Sequence, residues 1–185
     1  MTLDDLWFLA TEADQRAEQA YHRLTERHSG FLEFTRTYEV SRRRFRTLAR
    51  RVSDTGAPYG AHTIVYRSSG EILLVWHGGL DTWVLPGGGI QEEESYRETA
   101  ERELCEEAGV EANYEGLGIA TRTAIRCGEY STWGILPVFQ ACAKTTTPTV
   151  RDPDGEITDA KWFGKLPENT RDREQLVAWQ ENEFD

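Results

Sequence analysis

Three glutamates in the middle of the chain have the spacing that brings carboxylates together on one side of a helix. Glu103, Glu106 and Glu107 stand at positions i, i+3 and i+4, so on a helix their side chains project from one face and converge on one site. Adjacent carboxylates repel one another unless a cation neutralises them, and clustered hard oxygen ligands select Mg²⁺ or Mn²⁺. The spacing therefore predicts a divalent-metal site, and metals bound there would attract phosphate oxygens.

Residues next to these glutamates fit the same chemistry. Arg102 either pairs with Glu98 at i, i+4 or binds Glu94, and in the second case it holds the start of the helix against the preceding turn. The glycine run at 87–89 lets the backbone approach a metal or a phosphate without a Cβ in the way. The alternative interpretation is an acidic, solvated helix after a glycine turn, which three glutamates alone would favour.

The complete pattern is more specific than the glutamates alone. Residues 88 to 110 fill every position of G-x5-E-x7-R-E-U-x-E-E-x-G-U, with U aliphatic, and so resemble the signature of the Nudix hydrolases. The preceding run from Trp83 to Gly88 resembles the lead-in common in that family. This resemblance implies a Nudix fold of the α/β (α+β) class, in which a mixed β-sheet is sandwiched between helices. It also implies an enzyme that uses Mg²⁺ or Mn²⁺ to hydrolyse the diphosphate linkage of a nucleoside diphosphate derivative.

The resemblance also assigns roles to residues of the signature. The three glutamates would be metal ligands, and the Gly88 carbonyl would be a further contact. Glu94 and Arg102 would orient the catalytic groups, while Gly87 and Gly88 would lie against the diphosphate. The general base would be a signature glutamate or a carboxylate from a later loop, and we favour Glu107. The candidates for this base are Glu106, Glu107, Asp152, Asp154 and Glu156.

Recognition of the rest of the substrate should come from outside the signature, which handles only the diphosphate. We expect Arg67 to meet phosphate or ribose and Trp133 to stack on a base. Each alone is more often a core or surface residue. The ADP-ribose branch of the family carries a proline about fifteen residues beyond the signature, which this chain lacks. The sequence therefore selects no particular nucleoside diphosphate-linked small molecule. Further candidates of the same kinds are Trp76, Tyr130, Phe139, Arg122 and Arg126.

Two other functions stay open at this point. The main alternative is a non-catalytic Nudix-like module that senses a nucleotide or binds a partner, although such a module would be free to lose the three glutamates. The other is mRNA decapping, which would need the arginines of residues 42–51 to hold RNA.

The first third of the chain predicts helices that precede the signature-bearing region. Apolar residues at three-and-four spacing predict a helix over residues 3–29, with Thr2 to cap it and Gly30 to end it. Alternation predicts a strand over 33–40, and Ser41 is placed to cap a second helix through Val52. A turn-rich segment follows, so we expect a helical extension at 1–57 and a Nudix domain at 58–185. The helices would bury their apolar stripe against that domain or against a second copy, in a homodimer.

The remaining sequence predicts strands on both sides of one central helix. The strands are expected at 61–67, 71–77, 82–85, 114–122, 131–143 and 156–163, and the first two form a hairpin. The central helix should occupy 95–108 and stop at Gly109, and a last helix should lie near 171–179. Within the central helix, Cys105 is expected to pack in the core, away from the glutamates.

Composition excludes several classes of protein. With 38% hydrophobic and 29% charged residues, and no apolar run near the ~18 residues of a membrane span, we expect a folded protein without a membrane segment. The formal charge is −11, and residues after 52 carry net −13, so general nucleic-acid binding is not expected. Three cysteines without metal-site spacing predict free thiols. The acidic N-terminus is unlike a signal peptide, so we expect a cytoplasmic protein.

Overall fold

The computed structural model describes residues 3–185 and confirms a mixed fold of helices and strands. Among the helices of residues 3–185, none has the length together with the apolar composition that a membrane span needs. By residue position the chain divides into two compact units, one formed by the residues up to Gly60 with Ile119–Pro137 and the other by Ala61–Gly118 with Val138–Asp185. The elements, in chain order, are α1 (Leu3–Arg27), β1 (Leu32–Glu39), α2 (Arg42–Thr55), β2 (Ala61–Tyr66), β3 (Ile72–His77), β4 (Thr82–Val84), β5 (Gly87–Gly88), α3 (Tyr96–Ala108), β6 (Ala112–Cys127), β7 (Tyr130–Ala143), β8 (Ile157–Phe163) and α4 (Arg173–Phe184).

The first unit is built on the pair of helices α1 and α2. The apolar stripe of α1, which includes Leu6, Ala13 and Ala17, is buried in one cluster with Phe45 and Leu48 of α2. The apolar stripe of α1 therefore packs against α2, a helix of the same unit. In this unit β1 pairs in parallel with the later part of β6, from Leu32 opposite Ile119 to Glu39 opposite Arg126.

Local signals explain the ends of α2. The Ser41 hydroxyl accepts a hydrogen bond from the Arg44 amide at 3.2 Å, as an N-cap residue does. Gly56 closes the helix with φ 84°, a left-handed conformation that favours glycine. Thr2, expected to cap α1, lies outside the described residues.

The second unit is a mixed sheet with α3 against it. β2 lies parallel to β7 and antiparallel to β3, and β3 also pairs with β4 and β8. Leu104 and Ala108 of α3 pack in one buried cluster with Val65, Leu73 and Val75 from β2 and β3. This packing fixes which face of α3 is covered and, with it, where the signature glutamates point.

Several boundaries differ from those expected. The strand expected at 114–122 extends over Ala112–Cys127, and the last helix covers Arg173–Phe184 instead of 171–179. The prediction for Cys105 is wrong, because this residue is exposed. The buried face of α3 centres on Ala100, Leu104 and Ala108, and the next residue along a helix is rotated by about 100° from that face. The division into residues 1–57 and 58–185 stays a proposal.

Candidate active site

Capping residues hold both ends of α3 and so fix which helix positions the signature glutamates occupy. Ser95 and Glu98 form a reciprocal capping box, in which the Glu98 carboxylate accepts from the Ser95 amide at 2.7 Å. Gly109 ends the helix with φ 60°, and a Cβ there would stand 2.5 Å from the Thr149 carbonyl oxygen. Glu98 is thus occupied at the helix start, which leaves Arg102 to bind elsewhere.

Arg102 is the central cation of the site. Its Nε and Nη2 donate to the two carboxylate oxygens of Glu94 at 2.7 and 3.1 Å, a bidentate pair. Its Nη1 donates to Glu103 at 2.7 Å and to Glu106 at 3.3 Å, and Nη2 also donates to the Gly89 carbonyl at 3.0 Å. Of the two partners open from the sequence, Arg102 binds Glu94. One guanidinium therefore ties the glycine turn to two signature glutamates.

Glu94 is itself held by groups that the sequence analysis missed. Its carboxylate accepts from the Thr99 hydroxyl at 2.8 Å and from the Gln91 amide at 3.1 Å. The Arg102 hydrogen bond is the main cause that lowers the pKa of Glu94 to about 2, with Thr99 and Gln91 adding to it. Glu94 is therefore ionised at neutral pH. No sequence motif marks Thr99 or Gln91, because their role depends on how the turn folds back on the helix.

Glu107 lies deepest among the signature glutamates, with 7% of its surface exposed. One carboxylate oxygen accepts from the Gly87 amide at 2.9 Å. Burial raises the pKa of Glu107 to about 8; the Gly87 amide opposes this, and the charges of Glu103, Asp152 and Glu156 raise it further. Glu107 is therefore mainly protonated at neutral pH in the metal-free chain.

Glu103 lies against the glycine turn. A Cβ on Gly88 would stand 2.5 Å from its Oε1, so glycine is what allows this close approach. Burial raises the pKa of Glu103; Arg102 lowers it, and the charges of Glu106 and Asp154 raise it again. Glu103 thus lies against the Gly88 backbone and within electrostatic range of Glu106 and Asp154.

The donor set suits a hard divalent cation. All the side-chain donors are carboxylate oxygens, as Mg²⁺ and Mn²⁺ prefer, and two of them are carboxylates whose charge burial disfavours. Within residues 3–185, no three Asp, Glu, His or Cys side chains already form a metal-binding group. Arg102 instead bridges Glu103 and Glu106. A bound cation would offset the cost of ionising the buried carboxyls of Glu103 and Glu107, so the residues fit the group that the resemblance implies.

The loop at residues 149–156 is fastened to the end of α3. The Thr149 amide donates to the Ala108 carbonyl at 2.7 Å, and the Arg151 amide donates to the Glu106 carbonyl at 2.9 Å. Asp152 accepts from three amides of its own loop and the following strand, at 2.7 to 3.1 Å. Asp152 therefore holds this loop together, while Asp154 and Glu156 are exposed carboxylates beside the signature glutamates.

His62 is a further residue that the sequence analysis did not place at the site. It stands opposite Gly87 in the pairing of β2 with β5, and its ring fills the position that a Cβ on Gly87 would take. Within the described chain its Nδ1 is buried without a hydrogen-bond partner. Burial, assisted by the charge of Arg171, lowers the pKa of His62 to about 4, so the ring is neutral at physiological pH.

Arg67 has contacts outside the signature. Its guanidinium lies 4.1 Å from the Trp162 ring centroid, and it donates to Glu71 and to the Thr146 carbonyl, both at 3.1 Å. None of these contacts is with a signature residue. Arg67 instead borders a separate open cavity of about 430 Å³, which Ser69 and Cys142 also line.

Trp133 belongs to the first unit, where Arg122 lies over its ring at 3.9 Å and Tyr21 packs edge-on at 6.3 Å. The structure thus gathers Glu94, Arg102 and the signature glutamates with Gly87 and Gly88. The side chains of Arg67 and Trp133, which are expected to bind substrate, have contacts with residues outside the signature.

Comparison with known proteins agrees with this geometry. The family model described as the NUDIX domain matches residues 57–179. A Bacillus subtilis (strain 168) protein, named provisionally as an 8-oxo-dGTP diphosphatase, is 33% identical over 58% of this chain and 68% of its own length.

Among solved structures, the MutT protein from Methanosarcina mazei Go1 is 19% identical, with a TM-score of 0.52 over 68% of this chain and 94% of that one. An ADP-ribose pyrophosphatase from Streptococcus suis 89-1591 is 17% identical, with a TM-score of 0.49 over 68% and 90% of the two chains. The chain belongs to the Nudix family and is a hydrolase acting on pyrophosphate bonds.

Proposed function

We propose that this hydrolase is a metal-dependent pyrophosphohydrolase that cleaves the diphosphate linkage of a nucleoside diphosphate derivative by attack of water at phosphorus. The observation that carries the proposal is the set of contacts that ties the three glutamates to one turn: Arg102 bridges Glu103 and Glu106, and Glu107 accepts from the Gly87 amide. Carboxylates that crowd one another in a partly buried site are costly without a cation. Glu103, Glu106, Glu107 and the Gly88 carbonyl would hold Mg²⁺ or Mn²⁺.

The residues around the site keep this arrangement rigid. Arg102 fixes Glu103 and Glu106 through one nitrogen while its other two nitrogens are locked on Glu94, so both carboxylates are positioned before substrate arrives. The Gly87 amide orients Glu107. When bound, a divalent cation supplies positive charge against the phosphate oxygens and acidifies water at the site. Preorganised positions of this kind account for much of the rate in phosphoryl transfer.

Glu107 is our candidate for the general base. Its burial and its raised pKa suit a carboxylate that accepts a proton near neutral pH. Glu106 is more exposed and shares its charge with Arg102. Asp152 is an unfavourable choice, because amides of its own loop occupy both of its oxygens. Asp154 and Glu156 keep exposed carboxylates and remain alternatives.

For the substrate we propose a nucleotide, a nucleotide sugar or an ADP-ribose-like compound. The name of the Bacillus subtilis relative supports a nucleoside triphosphate among these. Gly87 and Gly88 would lie against the diphosphate, and Arg67 and Trp133 remain proposed contacts for its other parts. We also propose a cytoplasmic protein, which the three free cysteines support, and a homodimer through the N-terminal helices.

The test is turnover of a panel of nucleoside triphosphates, nucleotide sugars, ADP-ribose, NADH and dinucleoside polyphosphates with Mg²⁺ and with Mn²⁺, at low and high salt. Glu106→Gln should lower kcat by about a thousandfold, because it removes one charged ligand from the site. Glu101→Gln is the matched control on the same helix, since Glu101 pairs with Arg97 on the surface. It should retain wild-type turnover.

Metal binding measured by calorimetry separates the possible failures. Turnover that Glu106→Gln loses and Glu101→Gln keeps supports the proposal. If the protein binds Mn²⁺ but turns over none of the compounds in the panel, catalysis is rejected in favour of the nucleotide-sensing module. Turnover unchanged by metal chelation would reject the metal-dependent chemistry.

A further inference from the structure

The exposed side of α2 is covered by arginines. Its buried side consists of Phe45, Leu48, Ala49 and Val52, and the arginines occupy most of the remaining arc. Asp54 is the one acidic residue of the helix. We call this surface the arginine face, and it comprises Arg42, Arg43, Arg44, Arg46, Arg50 and Arg51.

The arginine face lacks neutralising neighbours. Within the described chain, none of the salt bridges includes one of its six guanidinium groups. Arg42 lies over the Tyr130 ring at 5.8 Å and Arg44 over the Tyr59 ring at 6.0 Å, contacts that hold the side chains without compensating their charge. Arg51 also donates to the Pro58 carbonyl at 3.4 Å, and Arg46 is half-buried. In a protein with formal charge −11, six adjacent cations without a carboxylate partner among the described residues indicate a partner that supplies acidic groups.

Two consecutive residues of α1 are exposed aromatics, and one of them adjoins this face. On α1, 47% of Trp7 and 73% of Phe8 are exposed. The Trp7 ring packs 5.4 Å from the Tyr130 ring, which is the ring that Arg42 covers. Trp, Phe and Arg are enriched at the centres of protein interfaces, where the aromatic residues provide most of the binding energy. Trp7 therefore connects the exposed aromatic pair of α1 with the arginine face.

The neighbouring helix α1 has the opposite charge. It carries six acidic residues against three arginines, while α2 carries six arginines against one aspartate. Glu12 follows Phe8 by one helical turn on the same face, and Glu18 lies on the side of Trp7. Both glutamates are exposed. The first unit thus presents an acidic helix beside a basic one.

We infer that this surface binds a second copy of the chain in a two-fold dimer, with α1 of each copy facing α2 of the other. A two-fold interface must be complementary to itself. Opposed acidic and basic helices meet that condition twice, once on each side of the axis. Trp7 and Phe8 pack near the axis and are covered there.

A second copy fits the observations better than nucleic acid does. Arginines and aromatic rings also suit a single-stranded nucleic acid. However, the residues after 52 carry net −13, which repels a phosphate backbone, whereas α1 of a second copy supplies the acidic groups that the arginine face lacks. This inference rests on the homodimer proposed above and names its contact surface; it does not depend on the substrate or on hydrolysis.

Sedimentation equilibrium of the full chain at low salt tests the inference. Phe8→Ser should weaken the dimer by about tenfold or more, because it removes an apolar side chain from both halves of the interface. Leu80→Ser is the matched control, since Leu80 is 47% exposed and lies in the second unit. It should leave the dimer unchanged.

Charge exchange tests the opposed helices directly. Arg43→Glu with Arg50→Glu should weaken the dimer by about tenfold or more, and so should Glu12→Arg with Glu18→Arg. The protein carrying all four substitutions should dimerise again, because each reversed pair faces the other. Circular dichroism of every variant shows that loss of the dimer is not loss of the fold.

Three results would overturn the inference. The first is a wild-type chain that stays monomeric at the highest concentration reached. The second is a dimer that is insensitive to Phe8→Ser, or that the fourfold charge exchange does not restore. The third is tight binding of a labelled oligonucleotide by wild-type monomer that Arg43→Glu with Arg50→Glu abolishes, which would assign the arginine face to nucleic acid.

Discussion

Replacing Gly88 by alanine should separate catalysis from stability. The new Cβ would stand 2.5 Å from Glu103 Oε1 and 2.9 Å from Oε2, whereas ordinary contact begins at 3.4 Å. The Glu103 carboxylate must therefore retreat by about 0.9 Å. Gly88 does not have a left-handed φ, so alanine causes no backbone strain there. The substitution therefore changes the position of the Glu103 carboxylate and leaves the backbone conformation as it is.

The magnitudes of the two effects differ. A displacement of about 1 Å in a positioning group lowers turnover by about a hundredfold, so kcat/KM of Gly88→Ala should fall by that factor. The displaced group is the free end of a side chain, and the loss of glycine freedom in the unfolded chain opposes the strain. The free energy of unfolding should change by less than about 1 kcal/mol, which is about 3 °C in Tm for a chain of this size.

Gly89→Ala is the matched control, because a Cβ at Gly89 has no neighbour within 4 Å. Thermal unfolding without metal and turnover of the best substrate with Mg²⁺ should be measured for both variants. Gly88→Ala with wild-type turnover would show that the Glu103 position does not limit the reaction. A fall in turnover matched by a large fall in Tm would show instead that the turn is structural.

Three further predictions concern stability in the metal-free protein. His62 has a pKa near 4 in the folded chain, against 6.5 unperturbed, so the unfolded chain binds more protons between these values. The His62 contribution should thus lower the free energy of unfolding by about 3 kcal/mol between pH 6.5 and pH 4. Urea titrations of His62→Phe at several pH values should show a pH dependence that is smaller by this amount. Gly134→Ala should lose about 2 kcal/mol by the same assay, because its Cβ would stand 2.5 Å from the Pro58 Cδ. At neutral pH the free energy of unfolding of Glu107→Gln should exceed that of the wild type by about 2 kcal/mol, because the substitution removes a carboxyl whose charge is disfavoured by burial. A free energy of unfolding equal to or below that of the wild type would contradict this.

Sequence alone predicts much of the site, because most of its geometry is local. The spacing of Glu103, Glu106 and Glu107 places them on one helix face wherever that helix lies. Ser95 and Gly109 mark the ends of α3 by capping chemistry that acts within a few residues. The strands expected around the helix are present for the same reason, since alternation and turn residues act over short stretches.

The parts that sequence alone could not supply depend on distant segments. Pairing of β1 with β6 joins Leu32 to Ile119, and no local pattern specifies a partner so far along the chain. His62 reaches the site because β2 carries it opposite Gly87. Cys105 was misplaced because the burial of a helix face depends on which residues pack against it, and those come from β2 and β3.

Glu107 shows why the site conflicts with the fold that carries it. It follows Leu104 by three residues and so stands at the edge of the face that packs in the core, where an apolar side chain would be more stable. Its carboxyl accepts a hydrogen bond from the Gly87 amide, and the nearby Glu103, Asp152 and Glu156 charges disfavour its ionised form. Packing alone gives no reason for a carboxyl at this position, whereas a cation bound between these groups would remove the conflict. The local loss of stability is therefore the structural sign of a site completed by its ligand.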